Sequence, residues 1–286
     1  MDEMYDIIIL GTGMKECVLA GLLTKYDGKK VLQIDKNSYY GGESASFNLT
    51  NLFKIFRNVT APTNYGENRD WNVDLIPKVI MASGKLVKIL LKSAVSQYME
   101  YKCLDQKFIY QVNSESKGII HKVPSNDKEA LQSSLLGLIE KANCTRFFQF
   151  IQEFNIKDSK THKGNDVNAP FSVLAKNFNF EENTIDFIGH AIAHEINDEF
   201  LELPAINTIQ KIQLYMESVG KYGETPYIYP IYGLSEIVEG FSRLSAIHGG
   251  VIMLDRNPDE ILFDDTGKFI GIKSNNEVLL NINLDI

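Results

Sequence analysis

The stretch YDIIILGTGMKECVLAGLLTKYDGKKVLQID, Tyr5 to Asp35, decides the fold. Residues Tyr5 to Leu10 are apolar and β-branched, the pattern of a strand buried on both faces. Gly11-Thr12-Gly13 supplies a tight turn, and Cys17 to Leu23 carries helical apolar spacing. Val31 to Ile34 is a second short apolar run, closed by Asp35. Strand, glycine turn, helix, strand and terminal acid form the opening of a Rossmann unit. A working dinucleotide fingerprint, G-x-G-x-x-G, needs its third glycine where this chain has Glu16. Glu16 adds bulk at the helix–strand contact and puts a negative charge where a diphosphate would sit. The expectation is an α/β fold of the FAD/NAD(P)-binding, Rossmann-like kind that holds no flavin or nicotinamide. Asp35 could hydrogen-bond a ribose, or serve as an ordinary acid at a strand end.

Outward from this unit, Gly41-Gly42 marks a flexible loop, residues 51–57 read as a helix, and residues 60–72 as irregular. Ile76 to Leu91 has the spacing of an amphipathic helix, with Pro77 near its start. Lys107 to Gln111 and Gly118 to Lys122 read as a hairpin. Character changes near Pro124: helical spacing dominates to Tyr222, with candidate helices at Thr145–Phe154, Thr184–Ile196 and Thr208–Val219. Strands return at Val251–Leu254, Ile261–Phe263, Phe269–Lys273 and Val278–Ile282, with Thr266-Gly267 as a turn. The predicted organisation is a discontinuous sheet domain, residues 1–124 and 223–286, interrupted by a mainly helical domain, residues 125–222.

The 286 residues carry a formal charge of −8 and a pI of about 5.2. That balance gives no general attraction to nucleic acid. Cys17, Cys103 and Cys144 match no metal spacing, and their scarcity fits a reducing compartment. No basic, cleavable leader opens the chain, and no apolar run approaches a membrane span, so a cytoplasmic location is expected. The final Asn283-Leu284-Asp285-Ile286 falls inside strand-like sequence, so either the last strand pairs at an edge or the chain is cut short.

Three long segments resemble one family. They are Asp35 to Ser46 (DKNSYYGGESAS), Arg69 to Lys78 (RDWNVDLIPK) and Tyr227 to Arg243 (YIYPIYGLSEIVEGFSR), the last continuing into LSAIHGG. All are similar to Rab GDP-dissociation inhibitors and Rab escort proteins, which also lack the third fingerprint glycine. The resemblance implies a non-enzymatic regulator that binds GDP-bound, prenylated Rab GTPases, slows GDP release, extracts them from membranes and keeps them soluble for vesicle traffic. It implies partners of three kinds: the GTPase, its geranylgeranyl lipid and, transiently, a membrane surface. Tyr39, Glu236, Arg243 and Met253 match the family's GTPase-binding platform, and Arg69 lies beside its other basic residue. Glu236 and Arg243 are seven apart, so they could also be a solvated pair on one helix face. At Val251-Ile252 relatives often carry a polar residue. An escort protein presenting Rabs to geranylgeranyl transferase is the alternative within the superfamily, and a flavin-dependent oxidoreductase the alternative outside it.

The lipid is expected in the helical domain, against faces bearing Leu135, Leu138, Phe147, Ile151, Ile188, Ile192 and Met216, with the helices packed shut when no lipid is bound. The aromatic run Phe147, Phe148, Phe150, Ile151 and Phe154 exceeds one core-facing stripe, yet would equally form the core of a small domain. His190 and His194 are four apart and followed by Glu195, which is not H-E-x-x-H. They read as ordinary helix histidines rather than zinc ligands.

Overall fold

The computed structural model describes residues 4–112, 118–124, 129, 133, 136–274 and 277–281. The chain divides into two compact units, one of Met1–Val79, Ile89–Lys102 and Tyr229–Ile286, the other of Ile80–Lys88 and Cys103–Ile228.

In the first unit the predicted Rossmann opening forms as a parallel sheet. Its strand order is Val251–Met253, Val31–Ile34, Ile7–Leu10. The third strand of the unit therefore arrives only after the whole second unit has been traversed. Helix Met14–Asp27 follows the glycine turn and ends at Gly28 in the left-handed region, φ 60°. It packs along helix Ser235–Ile247. Gly21 permits that approach, since a β-carbon there would stand 3.0 Å from the Phe241 carbonyl oxygen and 3.1 Å from its ring. A second sheet has the order Met4–Tyr5, Glu277–Asn281, Phe269–Ser274, Glu260–Phe263. Tyr5, Leu32, Ile34 and Ile272 are buried together in one small core.

Asp74 ties distant segments of this unit into one piece. It lies on the two-residue strand Val73–Asp74, which pairs with Ser46–Phe47. Its Oδ1 accepts the Ser46 hydroxyl and the Leu234 N–H, the latter at 2.9 Å. Its Oδ2 accepts the Tyr229 hydroxyl, and Ser46 Oγ in turn accepts the Ser235 N–H at 3.0 Å. Helix Ser235–Ile247 is thus started by a carboxylate more than a hundred and fifty residues away in sequence.

The second unit is built on aromatic packing. Helix Leu138–Glu153 contributes Phe147, at the centre of a ring cluster with Phe171, Phe178 and Phe180, the last two centroids each 5.1 Å away. Helices Phe171–Asn177 and Ala205–Ser218 close around it with Leu174 and Ile209 buried. Each such side chain stabilises the fold by about 1.5–3 kcal/mol. The predicted helix 184–196 is instead a short α-turn, Glu182–Asp186, running into a π-turned segment, Phe187–Ile192. The wider turn is closed by Ala193 N–H on the Ile188 carbonyl, 2.9 Å. It accommodates Phe200, whose ring would stand 2.3 Å from a β-carbon at Gly189.

Two sequence readings change here. The helix predicted from Ile76 forms only at Lys85–Ser93. Ile80–Met81 is captured as a strand by Tyr227–Pro230, and Ser83 is held by Ser218 and the Glu217 carbonyl. Long-range pairing therefore overrides the local helical spacing. Residues 103–124, read as part of the sheet domain, belong to the second unit. Their hairpin, Phe108–Val112 with Gly118–Lys122, follows Leu104, which bonds to the Tyr227 carbonyl at 3.1 Å and packs on the aromatic core.

Asp74→Ala strands two hydroxyls and one N–H at once. It is expected to destabilise the protein by at least about 1.5–3 kcal/mol, the range for a lost hydrogen bond to a charged group. The expected readout is a lower urea midpoint with an unchanged slope.

Candidate binding surfaces

The glycine loop closes on itself. Asp35 turns inward and is buried. Its Oδ2 accepts both the N–H and the hydroxyl of Thr12 at 2.7 Å, and its Oδ1 accepts Asn37 N–H at 2.8 Å. The loop after the second strand crosses the turn, with Gly41 N–H on the Thr12 carbonyl at 3.0 Å. Glu16 folds back over the turn, so that a β-carbon on Gly13 would lie 2.5 Å from its Oε2. The carboxylate that the sequence places at the helix N-terminus thus supplies the anion the helix dipole favours.

The residues singled out for a platform fall on several segments of the first unit. Tyr39 follows the second strand, its ring edge-on to Phe47 at 5.0 Å. Met253 ends the neighbouring strand, in register with Ile34, and is half-buried against the small core. The two segments stay together past the sheet, with Asp255 N–H on the Asn37 carbonyl at 2.9 Å and Arg256 N–H on the Asp35 carbonyl at 2.8 Å. Glu236 and Arg243 lie on helix Ser235–Ile247, and both address the segment of residues 95–101. Arg243 is exposed and stacks over the Tyr98 ring, 4.5 Å from its centroid. Glu236 Oε1 accepts the Glu100 N–H at 3.2 Å. Its Oε2 is buried without a hydrogen-bond partner among the described residues. Burial raises the Glu236 carboxyl pKa, against the lowering effects of the Glu100 N–H and of the Tyr232 backbone, which approaches the carboxylate without a well-aligned hydrogen bond. Glu236 and Arg243 are not paired with each other, as a solvated pair would be; each is held by the adjoining segment. Arg69 stands apart from this group, its side chain 81% exposed and bridged to Glu67 at 3.0 Å.

Residues 1–284 match the family model described as GDP dissociation inhibitor. The chain belongs to that family. A guanosine nucleotide diphosphate dissociation inhibitor of Arabidopsis thaliana is 48% identical over 281 residues, covering 97% of this chain and 62% of the relative. Rab GDP dissociation inhibitor beta of Canis lupus familiaris is 47% identical over 281 residues, with the same coverage of 97% and 62%. The solved structure of a Rab GDI from Plasmodium falciparum has a TM-score of 0.88 at 46% identity, over 98% of this chain and 64% of that one. This chain therefore spans less than two-thirds of the length of these relatives. An oxidoreductase from Methanosarcina mazei, TM-score 0.56 at 14% identity, covers 96% of this chain and 56% of that one, and shares the fold alone.

That shared fold raises the question of a dinucleotide cofactor in this chain. The residues present do not fit one. Glu16 fills the space over the two glycines with negative charge, and the Asp35 carboxylate is already taken by Thr12 and Asn37. A ribose or diphosphate would have to displace both.

In the second unit Phe147, Ile151 and Ile188 are wholly buried, Ile192 nearly so, and Met216 packs against the same core. Leu138 does not join them. It is 84% exposed at the first turn of its helix, where side chains point away from the aromatic cluster. Leu135 lies outside the described residues. The two histidines part company. His190 bonds to the Glu195 carbonyl at 2.8 Å and Asp198 at 3.1 Å, whereas His194, in the left-handed region at φ 57°, turns to Tyr227. Asp186, His190 and Asp198 are the one exposed trio with metal-ligand chemistry among the described residues. The Glu195 carbonyl and Asp198 raise the His190 pKa, against the lowering effect of its partial burial. Asp74 escaped sequence reasoning as a structural hub, although it sits inside the quoted RDWNVDLIPK segment.

Purified protein denatured with acid is expected to release no stoichiometric flavin by fluorescence; a one-to-one yield would mean that Glu16 swings away from the turn.

Proposed function

We propose that this chain binds Rab GTPases in their GDP-bound form and slows GDP release, and that its helical unit shelters a geranylgeranyl lipid. A prenylated Rab could then leave one membrane and travel through the cytoplasm to another. In this reading the chain is a regulator and not an enzyme, and it meets membranes only transiently. Family membership supports the class of activity, and the names of the Canis and Plasmodium relatives support the GTPase.

The observation that carries the site is the state of Glu236. A buried carboxylate oxygen without a donor costs about 1–3 kcal/mol. A partner offering a cation or hydroxyl would relieve that cost, and beside it Arg243 is exposed and pre-ordered on Tyr98. Tyr39 and Met253 add an aromatic and an apolar contact, the residue types that dominate interface energetics. Arg69, already paired and apart, is a rim residue in this reading.

Titration of a fluorescent, GDP-loaded Rab is expected to saturate. Arg243→Ala should weaken it by about 1–3 kcal/mol, about 5- to 150-fold. Unchanged affinity in Tyr39→Ala, Glu236→Ala, Arg243→Ala and Met253→Ala alike would remove the platform assignment.

A chain of about twenty carbons, at about 0.8 kcal/mol per buried methylene, cannot be carried exposed through water. The buried set Phe147, Ile151, Ile188 and Ile192 makes a closed core, so lipid would have to part the helices, and Met216 at its margin is the place to start. A fluorescent prenyl peptide should bind saturably, and Met216→Arg should weaken it without unfolding the unit. Ile192→Asp is a poorer probe, because Ile192 is 4% exposed and a charge there tests folding instead. Equal binding by a folded Met216→Arg variant would place the lipid elsewhere.

A further inference from the structure

Lys107 precedes the hairpin strand Phe108–Val112, but its side chain runs inward among tyrosines. Its Nζ donates to the Tyr227 hydroxyl at 2.6 Å and to the Ala191 carbonyl. It lies 5.1 Å from the ring centroids of both Tyr215 and Tyr227. Among the described residues no carboxylate pairs with it. His194 Nε2 stands 3.4 Å from Nζ and 2.5 Å from the Tyr227 hydroxyl. All these groups belong to the second unit.

Lys107 is also one of the residues lining a cleft of about 340 Å³, walled by Phe108, Tyr110 and Phe187 with Asp186 and His190 on the same lining. That volume is at the lower end of what small-molecule sites enclose. An amine desolvated beside a second basic group, at the wall of a largely apolar cleft, is the environment in which lysine becomes a nucleophile. The backbone adds a second sign. His194 is held at φ 57°, a conformation uncommon outside glycine, and it directs the imidazole onto Tyr227.

We propose that Lys107 is a nucleophilic lysine that captures apolar aldehydes reversibly in this cleft, with Tyr227 and His194 relaying the proton. The inference rests on the second unit alone and is independent of GTPase binding. The Nζ lone pair attacks the carbonyl carbon, and the C–N bond forms as the C=O π pair moves onto oxygen. One amine proton passes to the Tyr227 oxygen as that phenol's own proton moves to His194 Nε2, and it returns to the alkoxide to give the carbinolamine. The second N–H proton follows the same relay to the carbinolamine hydroxyl, the C–O bond breaks as water leaves, and the nitrogen lone pair closes the C=N bond. Nothing is oxidised or reduced.

The titration of these groups agrees with the geometry. Burial lowers the Lys107 pKa to about 8. Burial, with Lys107 and Lys211 nearby, lowers the His194 pKa to about 4, so its ring is a neutral acceptor at neutral pH. Burial raises the Tyr227 pKa, so it stays a phenol. At pH 7.4 an amine of this kind holds roughly a hundredfold more free base than an ordinary lysine. Tyr110, Asp186 and His190 are the other titratable residues on the cleft lining.

The test is reductive trapping: the whole chain is incubated with nonanal and sodium cyanoborohydride, and adducts are mapped by peptide mass spectrometry. Lys107 should be alkylated at least about tenfold faster than the mean of the other lysines at pH 7.4, with the advantage shrinking as pH rises towards 10.5. Lys107→Arg should abolish the fast adduct, and Tyr227→Phe should slow it about tenfold while the other lysines keep their rates. Wild-type Lys107 reacting no faster than the surface lysines, or a fast adduct surviving in Lys107→Arg, would overturn the proposal. An unchanged rate in Tyr227→Phe would overturn the relay.

Discussion

The first unit depends on one carboxylate turned inward. Asp35 ends the second strand, where an acid in a dinucleotide fold faces outward to a ribose. Here it is buried and bonded twice to Thr12, in the middle of the glycine turn. That pair of bonds fixes the turn against the strand end. The Asp35 backbone continues the theme, donating to the Met253 carbonyl at 3.0 Å and accepting from Arg256. Through it the first, second and third strands share one edge, and from that edge spring the loop bearing Tyr39 and the strand bearing Met253. A group that would hold a ligand in a cofactor-binding relative has become an internal fastener, and Glu16 fills the space that remains.

Asp74 repeats this economy of means on the other side of the unit. A carboxylate can accept several hydrogen bonds, and this one takes its donors from three separate stretches of chain. The donors include the residue that opens helix Ser235–Ile247. The orientation of that helix sets where Glu236 and Arg243 stand. Removing the hub would act on Glu236 and Arg243 at a distance, by loosening the helix that carries them. Glu236 is the opposite case. One of its oxygens is satisfied and the other is not, and in a folded protein an unsatisfied buried acceptor calls for an explanation.

The second unit works by different physics. Its core holds few polar anchors and many rings, packed edge-on and tilted around Phe147. Such a core is dense and resists point intrusions, yet two of its helices, Phe171–Asn177 and Glu182–Asp186, are short, and the second runs into a π-turn. Wide turns of that kind recur where helices serve a function. Here the turn brings the Ala191 carbonyl and, just beyond it, His194 to the end of the Lys107 side chain.

The sequence alone determined the Rossmann opening, because apolar runs, glycines and a terminal acid are local signals read within thirty residues. It also determined the helical interruption, the hairpin and the family, through segments long enough to be specific. It did not determine where Ile76 to Leu91 becomes helix, since a strand partner nearly a hundred and fifty residues away settles that by hydrogen bonding. Nor could it assign Leu138 to the surface and Ile192 to the core, because both fit the same helical spacing. The three roles of Asp35, Asp74 and Glu236 show the same limit. Each is an acid in a plausible place, and only tertiary structure decides which donors reach it, because burial and hydrogen-bond geometry are properties of the folded neighbourhood and not of the residue.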